Sequence, residues 1–448
     1  MTIDKQIAYF KSEQTRPFLF RKQQLIKLYK TIEKYEDKLL EALRKDLNKS
    51  PYEAYMTEIG FLKKSIKYTL KHLKKWMKTK RVKTPYYQLF TSSYIQPEPL
   101  GTVLIIGAYN YPVQLLIEPL IGAIAAGNNA VLKPSEQAAH TESVLLSMFK
   151  SSFDEGYIKI VTGDAKVTSE LLELPFNHVF FTGSTKVGQI VYEKAAKKLI
   201  PVTLELGGKS PAIVTANANL KHSAKRIAFG KLINAGQTCI APDYVYIDES
   251  IEEEFIGYLL IEIKKLSDPH GNHGAMITDK HFQKIMNLAA SHPHGKAVNN
   301  NVESRIIEPM IMRGISWFDA PMKEEIFGPI LPVLTFKHVS ELIDVLKDKE
   351  KPLALYLFSD DKKEQQHIFT SLSFGGGAIN DTIMHIANPN LPFGGVGQSG
   401  IGTYHGYASF MTFSHMKGYT KKGLKIDLPF TVGPATKQKF NIIRRFMK

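Results

Sequence analysis

Cysteine is nearly absent from this sequence, which contains one, Cys239, among 448 residues. A single thiol excludes an intramolecular disulfide framework and any metal site built from several cysteines, and we predict no metal site. Such a scarcity of thiols is typical of proteins in reducing compartments. We therefore expect a cytoplasmic location.

Long apolar runs are also missing. The N-terminal segment lacks the continuous apolar core of a signal peptide. The most apolar stretch, 103–132, is interrupted by polar residues and proline, among them Asn110, Pro112 and Glu118. No segment reaches the length of apolar sequence that crosses a bilayer. The sequence therefore predicts neither a secretory leader nor a transmembrane segment.

Acidic residues are too few to balance the basic ones: 43 Asp and Glu face 58 Lys and Arg, which gives a net charge of +15. A basic surface can bind nucleic acid, anionic lipid or an acidic substrate, or it can simply keep the protein soluble. The basic residues concentrate at 63–83 and in the tail, 417–448. No nucleic-acid-binding motif accompanies either run, so we expect a solvated helix face at the first and no nucleic-acid partner.

The hydrophobic pattern that is present indicates an α/β protein of more than one domain. Apolar residues at three- and four-residue spacing predict a long amphipathic helix between Pro17 and Asn48. From Gly101 onward, short apolar strands alternate with helices, which predicts a doubly wound parallel sheet that binds ligands at the carboxyl ends of its strands. After Pro201 a second α/β region runs to about Asn380. We therefore expect a nucleotide-binding domain followed by a second α/β domain.

Three short motifs contain residues capable of catalytic chemistry. Cys239 lies in NAGQTCIAP, a turn in which a thiolate could meet a substrate, although a solitary cysteine is more often inert core packing. Glu205 ends the apolar strand of VTLELGGKSP, where a carboxylate is either paired or kept for proton transfer with a raised pKa. Asn110 in GAYNYP lies at a strand-to-helix turn, where it either caps the helix or donates to an oxyanion. Each motif by itself leaves both interpretations open.

Three further motifs are typical of turns. FTGSTKVG connects the strand HVFF to a helix, so its N–H groups and the helix N-terminus could hold a pyrophosphate, although it is not G-x-G-x-x-G. EEIFGP begins at Glu324 and PFGGVGQSGIG begins at Pro392. Neither of these two motifs indicates a chemistry alone.

Taken together and in this order, the six motifs resemble the aldehyde dehydrogenase superfamily, in particular its class 3 and fatty-aldehyde branch. The resemblance extends from about the first helix to about Tyr419 and includes the long matches LELGGKSP, GQTCIAPDY, EEIFGPILP, KPLALYLFS and LPFGGVGQSGIGTYHG. It implies an NAD(P)-dependent enzyme that oxidises a lipophilic aldehyde to its carboxylic acid. The implied substrates are medium or long aliphatic, aromatic or terpenoid aldehydes.

The resemblance also implies a domain organisation and an oligomeric state. An NAD(P)-binding domain would comprise 1–84 and 101–206, and a catalytic domain would comprise 207–384. A small β element for bridging and oligomerisation would comprise 85–100 and 385–448, which includes the basic tail. The branch further suggests a homodimer.

By resemblance, Cys239 is the nucleophile, Glu205 is the base that activates the hydrolytic water, and the Asn110 side chain with the Cys239 N–H holds the oxyanion. The implied cofactor-binding residues are Lys133, Glu136, Gly183, Ser184, Thr185, Val187, Gly188, Glu325 and Phe327. The candidates for an apolar substrate channel are Tyr111, Ile233, His385 and Phe393. The carboxylate of Glu136 should repel a 2′-phosphate, so we expect NAD to be preferred and NADP to be an alternative.

The basic tail could replace the hydrophobic anchor that fatty-aldehyde members carry at their C-terminus. Phe440, Ile443 and Phe446 are spaced three residues apart among Lys437, Lys439, Arg444, Arg445 and Lys448. Aromatic and aliphatic residues among cations are typical of weak docking on anionic membranes. We therefore consider a membrane-peripheral location beside the cytoplasmic one.

Two other functions remain as alternatives. A coenzyme-A-acylating dehydrogenase would release its thioester to a thiol, and the presence of Glu205 argues against it. A non-enzymatic lipid-binding or nucleic-acid-binding protein would explain the charge, but it would not explain the dehydrogenase motifs.

Overall fold

A computed structural model describes residues 1–266, 273–292, 300–426 and 433–446. The helices of the N-terminal half are α1 (Asp4–Lys11), α2 (Phe18–Leu47), α3 (Pro51–Ala54), α4 (Gly60–Trp76), α5 (Gln114–Ala126), α6 (Ala139–Ser152), α7 (Ala165–Leu171) and α8 (Thr185–Ala196). Those that follow are α9 (Leu220–Leu232), α10 (Glu252–Leu266), α11 (Asp279–Ala290), α12 (Ala320–Lys323), α13 (Val339–Lys347), α14 (Lys362–Ser371), α15 (Gly406–Thr412) and α16 (Lys437–Phe446). A π-helical turn, Tyr55–Ile59, joins α3 to α4. Short 3₁₀ turns occur at Ile233–Gly236, Glu249–Ile251, Met384–Ala387 and Gly397–Ser399.

Within the described ranges, the strands form four sheets. In chain order they are β1 (Lys80–Val82), β2 (Thr91–Pro99), β3 (Thr102–Ile106), β4 (Asn129–Lys133), β5 (Ile158–Ile160), β6 (His178–Thr182), β7 (Val202–Glu205), β8 (Pro211–Val214) and β9 (Tyr244–Asp248). They continue with β10 (Asn300–Asn301), β11 (Ile306–Ile307), β12 (Met310–Met312), β13 (Ile330–Phe336), β14 (Ala354–Phe358), β15 (Gly376–Ile379), β16 (Gly400–Ile401) and β17 (Ser414–Lys422).

The long amphipathic helix predicted between Pro17 and Asn48 is confirmed as α2. Pro17 precedes its first residue in an extended conformation, and Asn48 ends it in the left-handed conformation with φ of 51°. Asn tolerates this conformation better than most residues, which suits it to a helix end. One face of the helix is fully buried, as the apolar spacing predicts, and includes Leu25, Leu28, Ile32, Leu39 and Leu43.

The first large sheet has the strand order β16-β7-β6-β3-β4-β5. Its strands are parallel except for β16, which pairs antiparallel with β7. Lys133, Thr182 and Glu205 are the last residues of β4, β6 and β7. Since parallel strands place their carboxyl ends on one edge, these three positions share the edge at which such sheets bind ligands. The predicted doubly wound parallel sheet is confirmed.

The second large sheet has the order β12-β13-β9-β8-β14-β15, and all of its pairs are parallel. A third sheet, β1-β2-β17, is antiparallel and half-exposed or exposed along most of its length. This architecture confirms the predicted fold class. The domain division remains a prediction, and two strands depart from it: β1 joins the small sheet, and β16 joins the first large sheet.

Helix α5 is the centre of the largest core. All of its residues are buried, because it packs against α2, α4 and α15 as well as the first sheet. Gly122 makes the contact with α15 possible, since a side chain there would collide with Ser409. An entirely buried helix must be apolar on every face, and Glu118 is its one acidic residue.

Along the described ranges, no helix combines the length and the apolar character needed to cross a membrane. Helix α16 lies at the surface, with Phe440 62% exposed and Ile443 37% exposed. The side chain of Phe446, together with Lys448, falls outside the described residues.

Gly127→Ala should destabilise the protein by about 1–3 kcal/mol, because the residue that ends α5 has φ of +93° and its added methyl group would collide with the Arg21 guanidinium. Urea unfolding followed by tryptophan fluorescence measures the loss. Gly418→Ala is the matched control, since nothing lies within 4 Å of a methyl group there. Equal unfolding midpoints for the two variants would contradict this explanation.

Candidate active site

Cys239 lies in a loop whose backbone is unusual. The preceding turn contains Asn234 and Ala235, each with φ of 51°, and Gly236 with φ of 77°. Positive φ values are unfavourable for alanine, so the surrounding packing must hold the chain in this path. The loop leaves Cys239 half-buried, while its neighbours Thr238 and Ile240 are buried.

The electrostatic environment disfavours the Cys239 thiolate. Burial raises the pKa of the thiol, and the charges of Glu325 and Glu205 raise it further. Backbone N–H groups of Cys239 and Ile240 oppose this effect by bonding to the sulfur. The interaction with Glu205 shows that these two predicted residues converge, although 34 positions separate them in the sequence.

Glu205 is the last residue of β7 and is 3% exposed. Neither of its carboxyl oxygens has a hydrogen-bond partner within the described part of the chain. Burial raises the pKa of this carboxyl well above its ordinary value. A carboxylate in such surroundings has a high proton affinity and is available to a substrate or a water molecule rather than to a structural partner.

Asn110 is buried and lies against the Cys239 loop. Its side-chain Nδ2 donates to the carbonyl of Gln237 at 3.0 Å, two residues before the thiol. A side-chain amide has two N–H groups, so this bond leaves one for another acceptor. The next residue, Tyr111, bonds through its hydroxyl to Thr238 Oγ1 at 2.5 Å. The structure therefore brings the three predicted catalytic residues together.

A buried polar cluster binds the backbone carbonyl of Asn110, whereas the bond to Gln237 involves its side chain. Lys49 Nζ donates to the Asn110 carbonyl at 2.9 Å and to Glu58 Oε1 at 2.6 Å. Asn234 Nδ2 donates to the same carbonyl at 2.8 Å. No motif in the sequence indicated Lys49, Glu58 or Asn234, because their bonds to Asn110 join separate elements of the fold.

The predicted residues for an adenosine ribose lie at the carboxyl end of β4. Lys133 is 1% exposed, and its Nζ donates to the carbonyl of Pro134 at 2.6 Å and to Glu136 Oε2 at 3.2 Å. The side chain of Glu136 is 42% exposed. A buried ammonium thus orients an accessible carboxylate at the edge of the sheet.

The predicted pyrophosphate turn begins directly after β6. Ser184 caps α8 by accepting the Val187 N–H at 3.4 Å. Gly183 donates its N–H to the carbonyl of Glu205 at 3.0 Å, and Gly188 has no room for a side chain because Leu206 packs on it. The turn, the start of α8 and the end of β7 therefore form one rigid corner.

Glu325 and Phe327 lie in the segment between α12 and β13. The Glu325 carboxyl lies on the backbone of Gly207, and burial raises its pKa to about 8. Phe327 has φ of 56°, and its ring contacts that of Tyr109 edge-on at 6.0 Å. Thr185, Gly207, Gly208 and Glu325 line a cavity of about 560 Å³.

The residues at the carboxyl ends of β4, β6 and β7 have the chemistry to hold a dinucleotide. The first N–H groups of a helix lack partners inside the helix and bind anions such as a pyrophosphate. The two glycines after Glu205 leave the backbone uncovered where the cavity reaches it, and Glu136 offers a carboxylate acceptor to ribose hydroxyls. No group of three His, Cys, Asp or Glu side chains suited to a metal ion occurs in the described residues.

The predicted channel residues differ in their exposure. Tyr111 and Ile233 are buried at 7% and 9% exposure, whereas His385 is half-buried with neither ring nitrogen bonded in the described structure. Burial lowers the pKa of His385 to about 4. The His385 ring lies 6.0 Å from Tyr356 and 6.1 Å from Phe393. The Tyr356 hydroxyl donates to the carbonyl of Ile240 in the Cys239 loop. The rings of Tyr356, His385 and Phe393 therefore form a row of contacts that begins at this loop.

A second cavity, which no sequence motif indicated, lies beside His405. His405 stacks on Phe393 at 5.3 Å and lines a cavity of about 660 Å³ together with Phe61, Glu118 and Ile386. Burial raises the pKa of Glu118 to about 7. The interruption of an apolar helix by Glu118 was the available signal in the sequence, whereas nothing local distinguished His405.

Comparisons with known proteins agree with this geometry. The sequence matches the Aldehyde dehydrogenase family over residues 3–418. It is 48% identical to the 4,4′-diaponeurosporen-aldehyde dehydrogenase of Staphylococcus aureus, covering 98% of this chain and 97% of the relative. It is 41% identical to the dimeric NADP-preferring aldehyde dehydrogenase of Mus musculus, covering 93% of both chains.

A solved structure of Staphylococcus aureus AldH in its substrate-bound state superposes with a TM-score of 0.96 at 47% identity. The superposition covers 99% of this chain and 98% of the other. The resemblance that the six motifs indicated is thereby confirmed. This chain belongs to the aldehyde dehydrogenase family, whose members use NAD(P).

Proposed function

We propose that this enzyme oxidises lipophilic aldehydes with Cys239 as nucleophile, Glu205 as base and Asn110 as oxyanion donor. The observation that carries the proposal is the convergence of a half-buried thiol, a buried amide and a buried carboxyl without a hydrogen-bond partner in the described residues. The Cys239 sulfur, as the thiolate, attacks the aldehyde carbon and forms a thiohemiacetal. The remaining N–H of Asn110 and the backbone N–H of Cys239 hold the negative oxygen.

A bound nicotinamide cofactor would supply a hydride acceptor, and the thiohemiacetal on Cys239 would thereby become an acyl thioester. Glu205 then removes a proton from a water molecule, whose oxygen attacks the thioester carbon and releases the carboxylic acid and the thiol. The isolation of Glu205 suits this step, because a carboxylate without structural partners is a stronger base. The same step argues against release of the acyl group to coenzyme A.

Lys133, Glu136, the turn from Gly183 to Gly188, Glu325 and Phe327 are proposed to hold the cofactor. NAD should be preferred, since the Glu136 carboxylate would repel a 2′-phosphate. The name of the Mus musculus relative supports NADP as an alternative.

The substrate is proposed to reach Cys239 past Phe393, His385, Ile233 and Tyr111. Mostly apolar walls bind and orient lipophilic chains. The Staphylococcus aureus relative is named as a dehydrogenase of 4,4′-diaponeurosporen-aldehyde, which supports the same substrate class.

A homodimer is also proposed. Within the described residues, the outer edges of β15 and β17 pair with no other strand. Open edges of this kind are suited to pairing with another chain, and the Mus musculus relative is named as dimeric.

Cys239→Ala should abolish aldehyde oxidation, and Glu205→Gln should slow steady-state turnover by about 10²- to 10⁴-fold while keeping a first burst of reduced cofactor. The difference arises because the base acts after hydride transfer. Rapid-mixing absorbance with a series of alkanals of increasing length, using NAD and NADP in turn, measures both phases. Gly418→Ala serves as the control with unchanged rates, and full activity of Cys239→Ala would disprove the proposal.

Alkylation of Cys239 by iodoacetamide in the absence of cofactor should accelerate about tenfold per pH unit between pH 7 and 9, because the raised pKa keeps the thiol protonated in this range. Glu325→Gln should accelerate labelling at pH 9, because at that pH the native Glu325, whose pKa is about 8, carries a negative charge that raises the thiol pKa. Mass spectrometry reports one label per chain. A rate that is independent of pH would show that the resting group is already a thiolate.

Helix α16 is proposed to dock on anionic membranes. Removal of the residues after Pro434 should reduce sedimentation with vesicles containing phosphatidylserine at physiological salt several-fold. Phe440→Ser combined with Ile443→Ser keeps every charge and separates apolar insertion from electrostatic attraction. Unchanged sedimentation after the truncation would exclude the tail as a membrane anchor.

A further inference from the structure

A fully buried ion pair lies behind the proposed oxyanion donor. The side chains of Lys49 and Glu58 are both 0% exposed, and their charged atoms are 2.6 Å apart. Lys49 follows the end of α2, whereas Glu58 lies in the π-helical turn that begins at Tyr55. Buried ion pairs contribute little net stability compared with apolar residues of similar volume, so their presence calls for another explanation.

All three hydrogen-bond donors of the Lys49 ammonium have a partner. One is Glu58, the second is the Asn110 carbonyl, and the third is the face of the Tyr111 ring, whose centroid lies 4.0 Å from Nζ. Lysine is the residue that presents three donors from a single atom. The ammonium thus contacts two consecutive residues, one of which carries the oxyanion amide.

Glu58 binds the backbone shortly after Tyr111, at the start of α5. Its Oε2 accepts the N–H groups of Val113 at 2.9 Å and Gln114 at 3.1 Å, where α5 begins. A carboxylate at a helix N-terminus satisfies donors that have no partner inside the helix. Together, the pair binds the chain from Asn110 to Gln114 from one side.

The opposite side of this segment is bonded to the nucleophile loop. Asn110 bonds to Gln237, and Tyr111 bonds to Thr238, which is the residue before Cys239. A shift of the Asn110 peptide would therefore move the amide relative to the sulfur. Errors of about 1 Å in such an arrangement can reduce a rate about 100-fold.

We infer that Lys49, paired with Glu58, is a positioning residue that holds the Asn110 amide in register with Cys239. This inference rests on the proposed oxyanion role of Asn110. Lys49 is fully buried and acts through its bond to the Asn110 carbonyl. The charged pair supplies a directional contact that an apolar filling of the same space could not supply.

The test is a double-mutant cycle between Lys49 and Asn110. Lys49→Met should reduce the single-turnover rate of reduced-cofactor formation about 100-fold, and Asn110→Ala should reduce it about 10²- to 10³-fold. The double variant should be at most about threefold slower than Asn110→Ala, because Lys49 then has no side-chain amide to position. Cofactor affinity, measured by fluorescence titration, should stay unchanged in all three.

Additive losses, with the double variant slower by the product of the two factors, would overturn the positioning role and leave the oxyanion role intact. An Asn110→Ala variant with the wild-type rate would overturn both. Arg21→Met is the matched control, because Arg21 is another buried cation that bonds carbonyls, those of Thr15 and Ala125, at the far end of α5. Its single-turnover rate per folded molecule should equal that of the wild type.

Loss of Lys49 alone leaves the Glu58 charge buried and could prevent folding. Combining Lys49→Met with Glu58→Gln removes both charges and should restore the thermal midpoint close to that of the wild type. The turnover rate should remain about 100-fold low, since the Asn110 carbonyl still lacks its donor. A normal rate in this stable double variant would overturn the inference.

Discussion

The backbone of Glu205 is paired on both sides, and the geometry of the candidate site depends on that pairing. Glu205 lies opposite Thr182 of β6 and opposite Gly400 of β16. Its carbonyl accepts the N–H of Gly183, which begins the turn proposed to hold the pyrophosphate. The backbone bonds of Glu205 therefore fix both the proposed base and the turn proposed to hold the pyrophosphate. The position of the base does not depend on a hydrogen bond from its side chain.

The nucleophile loop is positioned by different means. Asn234 and Ala235 adopt left-handed conformations, and side-chain bonds from Asn110 and Asn234 converge on the carbonyl of Gln237. Such conformations persist only where the surrounding structure over-determines them. Ile383 and His405, which lie near the proposed channel, also have positive φ values of 49° and 78°. Part of the backbone strain thus lies around the proposed substrate path, and positive φ values also occur far from it in sequence, as at Leu199 and Arg305.

Charge is distributed unevenly between the site and the surface. The excess of cations lies on exposed elements, such as the lysines of α4 and the helix α16. Around the thiol, by contrast, the carboxyls of Glu205 and Glu325 have raised pKa values because burial disfavours their ionised forms. The net charge of the chain therefore describes its surface and says little about its chemistry.

The sequence by itself determined the fold class, the course of α2 and the family, because apolar periodicity is local and the motifs are long and ordered. It also supplied the identity of the proposed catalytic residues, and the structure brought Asn110, Glu205 and Cys239 together as expected. Only the tertiary structure revealed the cavity beside His405 and the contacts of Lys49 with Glu58 and Asn110. These features join residues from separate helices, strands and turns, and the pairing of distant buried groups leaves no periodic signal along the chain. Three-dimensional packing decided them because hydrogen bonds and desolvation depend on neighbours in space.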